Sequence, residues 1–488
     1  MGPLLFYIAG MSLRYLAGLL ACVLLSAPAS GQDWAGLSVS SFSGMHAALA
    51  NPAMLGTMRN RLQIGTLATN AQLSTNMLRY TGPSGLGNLF TPYMLTGNAY
   101  DYLRGSNLSD GLQSIFDGDR WQRVRGGEAK DFSATAELRG PFLAGTIGGL
   151  GLGLGYRIRG GLQLTNVGAS VAELFFSGTT DVDPLVLGAA LRDSKFSASA
   201  NAYHEFYGTV AFPALKLGRH YLGGGVTLKY LAGIYSAGII NRGLSYRVLG
   251  PDSLLTTEAD LSYQYVNNNL LADDPTAARG NGAGVDLGAI YEFRGLNDDD
   301  QPYGPGKGRH VLRAGLSVID AGRITYGGQG IRAFDFKRRD SLNVWGSIDT
   351  LRVRGTASLD SVFNQVFGAT NTRQSFSTGL PATVNVFVDV RLFKFIYLTA
   401  KTSQSLVAID RGGLRAFSGL ILMPRLETRL FELAIPMGIG LGYSYFQPGF
   451  FARVSGFFFG SDNLSTLFGV GNRAGMSFYA GGYVPIRR

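Results

Sequence analysis

The chain has 488 residues, of which 46% are hydrophobic, and its formal net charge is +10 at pH 7. Glycine contributes 69 residues and proline only 17, a balance that excludes collagen-like and disordered low-complexity chains and favours β-structure. The basic excess would suit nucleic acid, but in an exported chain it better fits arginines inside a barrel and loops that face anionic lipid.

The N-terminal residues 1–31 predict a secretory signal peptide. Arg14 precedes an apolar run over residues 15–25, and Ala27-Pro28-Ala29 offers a small-x-small cleavage site. The run is too short to remain as a membrane-spanning anchor. Cys22, the only cysteine, lies inside this run, so the mature chain is expected to form no disulfide and to use no thiolate chemistry.

Residues 32–58 separate the signal peptide from the first predicted strand. Within them, residues 41–54 are rich in small side chains and show no strand alternation. Gly44 and its neighbours could lie close to strand backbones, and Asn51-Pro52 favours an extended turn. One interpretation is a hatch held inside the periplasmic half of a barrel, and the other is a mobile periplasmic leader. The sequence leaves both open.

Residues 149–165 carry the clearest strand pattern. Leu150, Leu152 and Leu154 fall on one parity, whereas Arg157 and Arg159 fall on the other together with glycines. In a transmembrane barrel the leucines would meet lipid, because an arginine that faces lipid near the midplane costs about 2–4 kcal/mol. The glycines recur every second residue, which is not the offset of a nucleotide-binding loop.

Other alternating segments follow at intervals along the chain. They include residues 62–68, 132–138 (ended by Gly140-Pro141), 197–212 (followed by a turn at 213–218), 221–235, 285–293, 312–318, 384–390, 450–460 and 475–486. Long and short connections alternate, as in barrels with long extracellular loops and short periplasmic turns. The candidates number roughly 13 to 16, and closure favours an even number. We therefore predict an all-β, single antiparallel transmembrane barrel of about 14 strands over residues 59–488, in the bacterial outer membrane.

Two long insertions, 76–130 and 327–380, interrupt this pattern, and each contains a short predicted helix, at 108–116 and 359–367. Polar side chains on the inward parity of the strands are the candidate lumen-lining residues. They are Arg139, Arg157, Arg159, Lys229, Asp389 and Arg391. Such charges would set the electric field of a narrow lumen.

Motifs for catalysis or metal binding are missing from the sequence. The four histidines show no metal-ligand spacing, and no nucleophile elbow or nucleotide-binding loop occurs. We predict no enzyme activity, no cofactor and no metal. A hydrolase that assembles its residues from separate strands, with the pair His204-Glu205 as a starting point, is the least favoured alternative.

Three segments suggest a family. SFSGMHAALANPAML at 41–55, SVIDAGRITY at 317–326 and GMSFYAGGYVPI at 475–486 resemble segments of the FadL-like outer-membrane barrels, which include the PorV type. The resemblance implies a 14-stranded barrel with an N-terminal segment in its lumen. It also implies one of two roles: uptake of hydrophobic compounds, or accessory work in type nine protein secretion.

We therefore expect first a channel or carrier for small hydrophobic molecules, and abundant aromatic residues, 11% of the chain, favour it. The alternative is a structural or secretion-accessory barrel that binds a partner protein through its long insertions. We expect outer-membrane lipid to surround the barrel, and we expect no nucleic acid partner.

Overall fold

The computed structural model describes residues 34–81, 121–127, 129–172, 190–193, 195–250, 253–267, 274, 276–295, 310–338, 342–343, 371–416, 418–440, 445–469 and 475–486. The predicted signal peptide and the two predicted loop helices lie outside these residues. Within them, no helix has the length and apolar character needed to cross a membrane.

Fourteen antiparallel strands form one sheet in the described part of the chain. They are β1 (Leu62–Thr75), β2 (Lys130–Ile147), β3 (Leu150–Val167), β4 (Phe196–Leu217), β5 (His220–Gly250), β6 (Ser253–Val266 and Gly280–Arg294), β7 (His310–Gly327, Ile331–Arg338 and Leu342–Asn343), β8 (Asn371–Arg373, Ser375–Gly379 and Thr383–Arg391), β9 (Ile396–Ser405), β10 (Gly419–Glu427), β11 (Phe431–Ala434 and Met437–Gly440), β12 (Tyr445–Pro448 and Phe450–Val454), β13 (Phe457–Ser461) and β14 (Gly475–Ile486). Shorter strands outside this set are Leu78–Tyr80, which pairs with Trp121–Arg123, and Ala190–Asp193, which pairs with β5.

The sheet closes on itself. Leu62 at the start of β1 lies opposite Gly145 of β2 on one side and opposite Ile486 of β14 on the other. A closed sheet satisfies every strand edge internally, which a lipid environment demands. The prediction of a single 14-stranded antiparallel barrel is confirmed.

The outer face of the barrel is apolar. Leu154 of β3 is 63% exposed, whereas Arg157 three residues later on the same strand is 4% exposed. Large apolar side chains are exposed on strands around the whole circumference: Leu228, Leu287, Leu316, Leu433, Phe457 and Val484. A continuous apolar belt on a closed barrel is the surface that lipid solvates. The chain is an outer-membrane β-barrel.

Gly140 and Pro141 do not end a strand, so that part of the strand prediction is wrong. β2 continues to Ile147, and its pairing with β3 shifts register between Arg139 and Phe142. Such a bulge inserts a residue and reverses the side-chain parity. Leu138 and Leu143 are consequently both exposed although one is even-numbered and the other odd.

Two further boundaries differ from the sequence prediction. β4 runs through Pro213 to Leu217, so the predicted turn at 213–218 shrinks to Gly218-Arg219 before β5 begins. The predicted strand 450–460 is two strands, because Ser455 adopts a positive φ of 54° and the chain turns there. Because the alternation of side chains continues through a tight two-residue turn, periodicity alone does not reveal the turn.

The barrel interior holds the N-terminal segment, which we define as residues 34–60. It contains α1 (Ala35–Val39), α2 (Met45–Ala48) and a 3₁₀ helix (Pro52–Thr57). A further helix is α3 (Ser465–Phe468), between β13 and β14. Buried apolar side chains of the segment pack against inward side chains of the strands and form one hydrophobic core with them.

Candidate functional site in the barrel interior

The N-terminal segment is attached to strands on different sides of the barrel. Asn51 caps the 3₁₀ helix through its Oδ1, which accepts from the N–H of Ala53 at 3.1 Å. Its Nδ2 donates to the carbonyl oxygens of Ala289 in β6 and Leu316 in β7, at 3.1 and 3.2 Å. One amide side chain therefore shapes the turn and holds it against two strands.

The segment approaches the wall most closely at glycines. A Cβ added to Gly151 of β3 would lie 2.7 Å from the carbonyl carbon of Leu55, and one added to Gly225 of β5 would collide with the backbone of Pro52 and Ala53. Real Cβ atoms do not approach other atoms so closely, so these positions require glycine. The alternating glycines at the start of β3 provide room for the 3₁₀ helix.

Gly44 begins α2 with a positive φ of 50°. Its missing side chain lets the Gln63 amide come close, and Gln63 Nε2 donates to the carbonyl of Phe42 at 2.6 Å. The three residues predicted for the hatch, Gly44, Asn51 and Pro52, are thus all within the segment and in contact with the wall or the first strand.

Charged side chains of the opposite wall also hold the segment. Ser40 Oγ donates to Glu432 Oε2 at 2.6 Å, and the N–H of Ser41 donates to Glu427 Oε2 at 3.2 Å. Arg313 of β7 donates to the carbonyl of Val39 at 3.3 Å. The strands therefore provide hydrogen-bond partners for backbone groups that a short irregular segment cannot pair internally.

A first charge network crosses the interior. Arg157 of β3 pairs with Glu137 of β2 at 2.9 Å and with Glu205 of β4 at 2.7 Å. Arg139 pairs with the same Glu137 at 3.0 Å. Arg159 reaches Asp320 of β7 at 2.8 Å, a contact between strands far apart in the sheet that has to run through the lumen.

Lys229 of β5 continues this network. Its Nζ lies 2.6 Å from Asp286 of β6 and 2.5 Å from Asp320 of β7, and all three side chains are at most 5% exposed. Asp320 has a positive φ of 58° and its N–H donates to Asp286 Oδ1 at 2.7 Å. Four cations, Arg139, Arg157, Arg159 and Lys229, thus face four carboxylates, Glu137, Glu205, Asp286 and Asp320, and their formal charges balance.

A second charge network lies on the opposite side. Asp389 of β8 is fully buried and accepts from His310 Nε2, Thr399 Oγ1 and Arg425, each at 2.7 Å. Arg425 also pairs with Glu427 and with Glu432, the carboxylates that hold Ser41 and Ser40. Arg391, the last residue of β8, is half-buried at the short-turn end of its strand.

The acidic partners were not among the residues selected from the sequence. Three of these acids lie on the inward parity of clear strands: Glu137, Glu205 and Asp286. The alternation that selected the arginines therefore marks them too. Asp320 follows a parity change at its own bulge, which the sequence does not show.

His46 of α2 lies at the boundary between the segment and the first network. Its Nδ1 lies 3.0 Å from an Nη of Arg139, and its ring stacks on Trp34 with centroids 5.9 Å apart. Arg139 also lies over the Trp34 ring, 3.8 Å from its centroid. Burial and the neighbouring Arg139 charge hold the pKa of His46 well below its ordinary value. His46 is therefore neutral at physiological pH.

A cavity of about 130 Å³ remains above the segment. Trp34, His46 and Leu49 form its floor, and Leu414 and Arg415 lie over it. These last two belong to the residues between β9 and β10, 406–418, which we call the lid loop. Five lining side chains are cationic, Arg139, Arg157, Arg159, Lys401 and Arg415, and two are acidic, Glu137 and Asp320.

The lid loop is bound to the far wall. Gly413 donates to Ser199 Oγ of β4 at 3.3 Å, and Gln163 of β3 makes two hydrogen bonds with the backbone of Arg415. At the rim, Lys195 pairs with Asp410 at 2.8 Å. The loop thus crosses the mouth at the long-loop end, which in such barrels is extracellular.

His204 and Glu205 do not act as a pair. His204 lies on the outward parity, where its Nδ1 is 2.7 Å from the Tyr156 hydroxyl and its Nε2 is 3.1 Å from the carbonyl of Thr276, while Glu205 points inward and is fully buried. Among the described residues, no group of three or more histidines, cysteines, aspartates or glutamates is arranged to hold a metal ion.

Several solved barrels are similar to this chain. A FadL homologue of Pseudomonas aeruginosa shares 11% identity over 91% of this chain and 94% of its own, with a TM-score of 0.37. The toluene transporter TbuX of Ralstonia pickettii shares 11% identity over 90% and 92%, with a TM-score of 0.33. The toluene transporter TodX of Pseudomonas putida shares 9% identity over 94% and 96%, with a TM-score of 0.28.

FadL-like barrels are thus among the solved structures similar to this chain, as the sequence resemblance predicts, whereas its PorV-type part stays a prediction. The fold itself rests on the strand pairing described above. None of the curated proteins matches the chain. A family model matches residues 93–462, and the chain belongs to that family, DUF5723, a family of unknown function.

Proposed function

We propose that this protein is a gated outer-membrane channel for small molecules, with the N-terminal segment as its plug. The observation that carries the proposal is the position of residues 34–60, which fill the lumen and contact strands on opposite sides of it. A barrel needs no such segment to close its strand edges, because the strands already pair with each other. A segment that occupies the lumen instead controls what passes.

The segment is attached to the wall by a shared hydrophobic core and by polar contacts. The polar contacts include side-chain hydrogen bonds, such as Ser40 to Glu432 and Lys401 to Ser38, and each contributes about 1–3 kcal/mol. Along the described residues, the chain joins the segment to the barrel where Leu62 begins β1. After the segment leaves, the carboxylates and arginines of the wall would still form ion pairs with each other.

The upper interior supports a cargo with an apolar body. Tyr326 and Phe376 stack with ring centroids 5.2 Å apart, and they belong to a buried cluster with Tyr203 and Leu380. Tyr203 also lines the cavity. This cluster agrees with the small hydrophobic cargo that the family resemblance implies, and the cavity beside it is lined by Trp34, Leu49 and Leu414 as well as by charged side chains.

Deletion of residues 41–54 tests the plug. We expect the deleted barrel to conduct ions in planar bilayers at a higher single-channel conductance than the full chain. Retention of the mobility shift between unheated and boiled samples in electrophoresis shows that the barrel still folds. A folded deletion variant with the conductance of the full chain would show that the segment plugs nothing.

Asn51→Leu provides a milder variant, because it removes both hydrogen bonds to the wall and keeps the segment. We expect more frequent openings at the same full conductance. Thr66→Ala is the matched control, since Thr66 donates to Gly482 on the lipid-facing side of β1 and does not contact the segment.

The partner-binding alternative rests on the insertions 76–130 and 327–380, much of which lies outside the described residues, and it stays a prediction. Purification from native membranes tests it: a stoichiometric protein partner without a retained small molecule would favour this alternative. The hydrolase hypothesis loses its starting pair, because His204 and Glu205 lie on opposite faces of β4.

A further inference from the structure

The short-turn end of the barrel carries exposed cations at several points of its rim. We call four of them the rim cations: Arg61 before β1, Lys216 near the end of β4, Lys394 between β8 and β9, and Arg429 between β10 and β11. The strands β1, β4, β8 and β10 are not adjacent in the sheet. The positive charges are therefore spread around the rim and not gathered at one turn.

The carboxylates near this end are turned into the barrel. Glu292, Asp389, Glu427 and Glu432 lie near the short-turn ends of their strands, and each is at most 2% exposed. Buried arginines of the interior pair with all four. Within the described part of the chain, the exposed charge at the short-turn end is therefore positive.

The long-loop end presents a different surface. Exposed acids there lie beside exposed cations, so the two signs largely cancel over short distances. The ion pairs are Lys195 with Asp410, Arg242 and Lys337 with Asp260, and Arg373 with Asp335.

Exposed apolar side chains adjoin the rim cations in the sequence. Leu217, Phe393 and Leu430 are each next to a rim cation and are 65%, 66% and 58% exposed. Such pairs suit the boundary of a membrane, because the apolar side chain enters the hydrocarbon while the cation reaches the headgroups. These side chains continue the apolar belt of the barrel, so the rim cations lie at the level of the lipid headgroups.

We infer that the short-turn rim binds the phosphate groups of anionic phospholipids in the periplasmic leaflet. The rim cations supply the contacts, because the negative surface of anionic lipids attracts lysine and arginine that lie close to it. A soluble acidic partner would match the charges alone, whereas a lipid matches both the charges and the apolar side chains beside them. This lipid site goes beyond the proposed channel and does not depend on it.

Spin-labelled lipids test the inference with the full-length barrel reconstituted in phosphatidylcholine bilayers. The probes are phosphatidylglycerol and phosphatidylcholine with the same labelled acyl chains, and the measurement is the fraction of each probe that the barrel immobilises. We expect about a fivefold preference for phosphatidylglycerol, the effect of one cation near an anionic surface. The preference should decline as salt increases. Equal immobilisation of the two probes would overturn the inference.

Replacing all four rim cations by glutamine locates the site. We expect the preference for phosphatidylglycerol to disappear in this rim variant. The matched control replaces the four exposed cations of the other end, Lys195, Arg242, Lys337 and Arg373, by glutamine and should keep the preference. The mobility shift between unheated and boiled samples shows that both variants fold. A rim variant that keeps the preference, or a control that loses it, would show that the lipid binds elsewhere.

Exchanging lysine and arginine at the rim separates charge from side-chain shape. The variant Arg61→Lys, Lys216→Arg, Lys394→Arg and Arg429→Lys keeps every positive charge and should keep the preference for phosphatidylglycerol. Loss of the preference in this variant would contradict an electrostatic site.

An acidic periplasmic protein is the competing occupant of the rim. Incubation of the parent barrel and the rim variant with periplasmic extract tests it. If a stoichiometric protein binds the parent but not the rim variant, and both barrels immobilise the two lipids equally, the rim is a protein-docking surface and the lipid site is wrong. A preference for phosphatidylglycerol that the rim variant loses in the absence of any extract supports the lipid site.

Discussion

The side chain of Gln163 in β3 clamps the backbone of Arg415, which belongs to the lid loop on the other side of the barrel. Gln163 Nε2 donates to the Arg415 carbonyl at 2.7 Å, and the Arg415 N–H donates to Gln163 Oε1 at 2.6 Å. Gln163 is 2% exposed. One amide therefore provides a partner for both the N–H and the carbonyl of the half-buried Arg415.

Replacing Gln163 by alanine should release the lid loop. We expect a protease or a bulky thiol reagent, the latter directed at an Ala416→Cys variant, to reach the loop faster from the extracellular side. Gln72→Ala is the matched control, because Gln72 lines the same cavity and its Nε2 donates to Ser74 Oγ at 3.4 Å rather than to the loop. Equal accessibility in the two variants would show that the clamp does not hold the loop.

Acidification should loosen the N-terminal segment through His46. The docked segment keeps His46 neutral, since burial and Arg139 lower its pKa, whereas in a released segment His46 titrates near its ordinary value of about 6.5. Docking is therefore most stable above about pH 6.5 and weakens as the pH falls below it. We expect more channel openings at about pH 5 than at about pH 7.5.

His46→Gln separates this effect from other titrations. Glutamine can accept from Arg139 but does not titrate, so most of the response to acid should disappear. If His46→Gln responds to acid as the parent protein does, His46 is not the group that couples docking to pH.

A side chain at Gly151 should prevent docking without unfolding the barrel. In Gly151→Val the new atoms would occupy the space of Leu55 in the 3₁₀ helix. We expect the segment to become sensitive to protease and the conductance to rise toward that of the deletion variant. Gly208→Val in β4 is the control, because Gly208 faces outward and an added Cβ meets nothing within 4 Å. A protected segment in Gly151→Val would refute this packing.

Lys229→Met should destabilise the barrel strongly. It leaves Asp286 and Asp320 buried without their shared cation, and removal of one partner from a buried pair costs about 3–5 kcal/mol. Adding Asp286→Asn should recover part of that loss. Lys195→Met breaks an exposed pair with Asp410 and should change the free energy of unfolding by about 0–1 kcal/mol. Urea unfolding in lipid, followed by electrophoretic mobility, measures all three.

The strand alternation along β3 was sufficient to predict a transmembrane barrel. Period two is a local property, and any extended strand between lipid and a filled lumen must show it. The inward parity of Arg157 and the outward parity of Leu154 follow directly. The sequence also shows a glycine at position 151, but only the docked 3₁₀ helix explains why this position requires glycine.

Tertiary structure decided what the local pattern could not show. Glu205 meets Arg157 because β4 lies beside β3, whereas Arg159 meets Asp320 only because the sheet closes and β7 faces β3 across the lumen. Bulges such as the one after Arg139 change parity without changing composition. By itself the sequence determined the barrel and its two faces, because burial against lipid acts on each residue in turn, whereas it bounded the strand number only to roughly 13 to 16. The position of the N-terminal segment, the pairing of the charges and the lid loop depend on contacts between distant residues, and those exist only after closure.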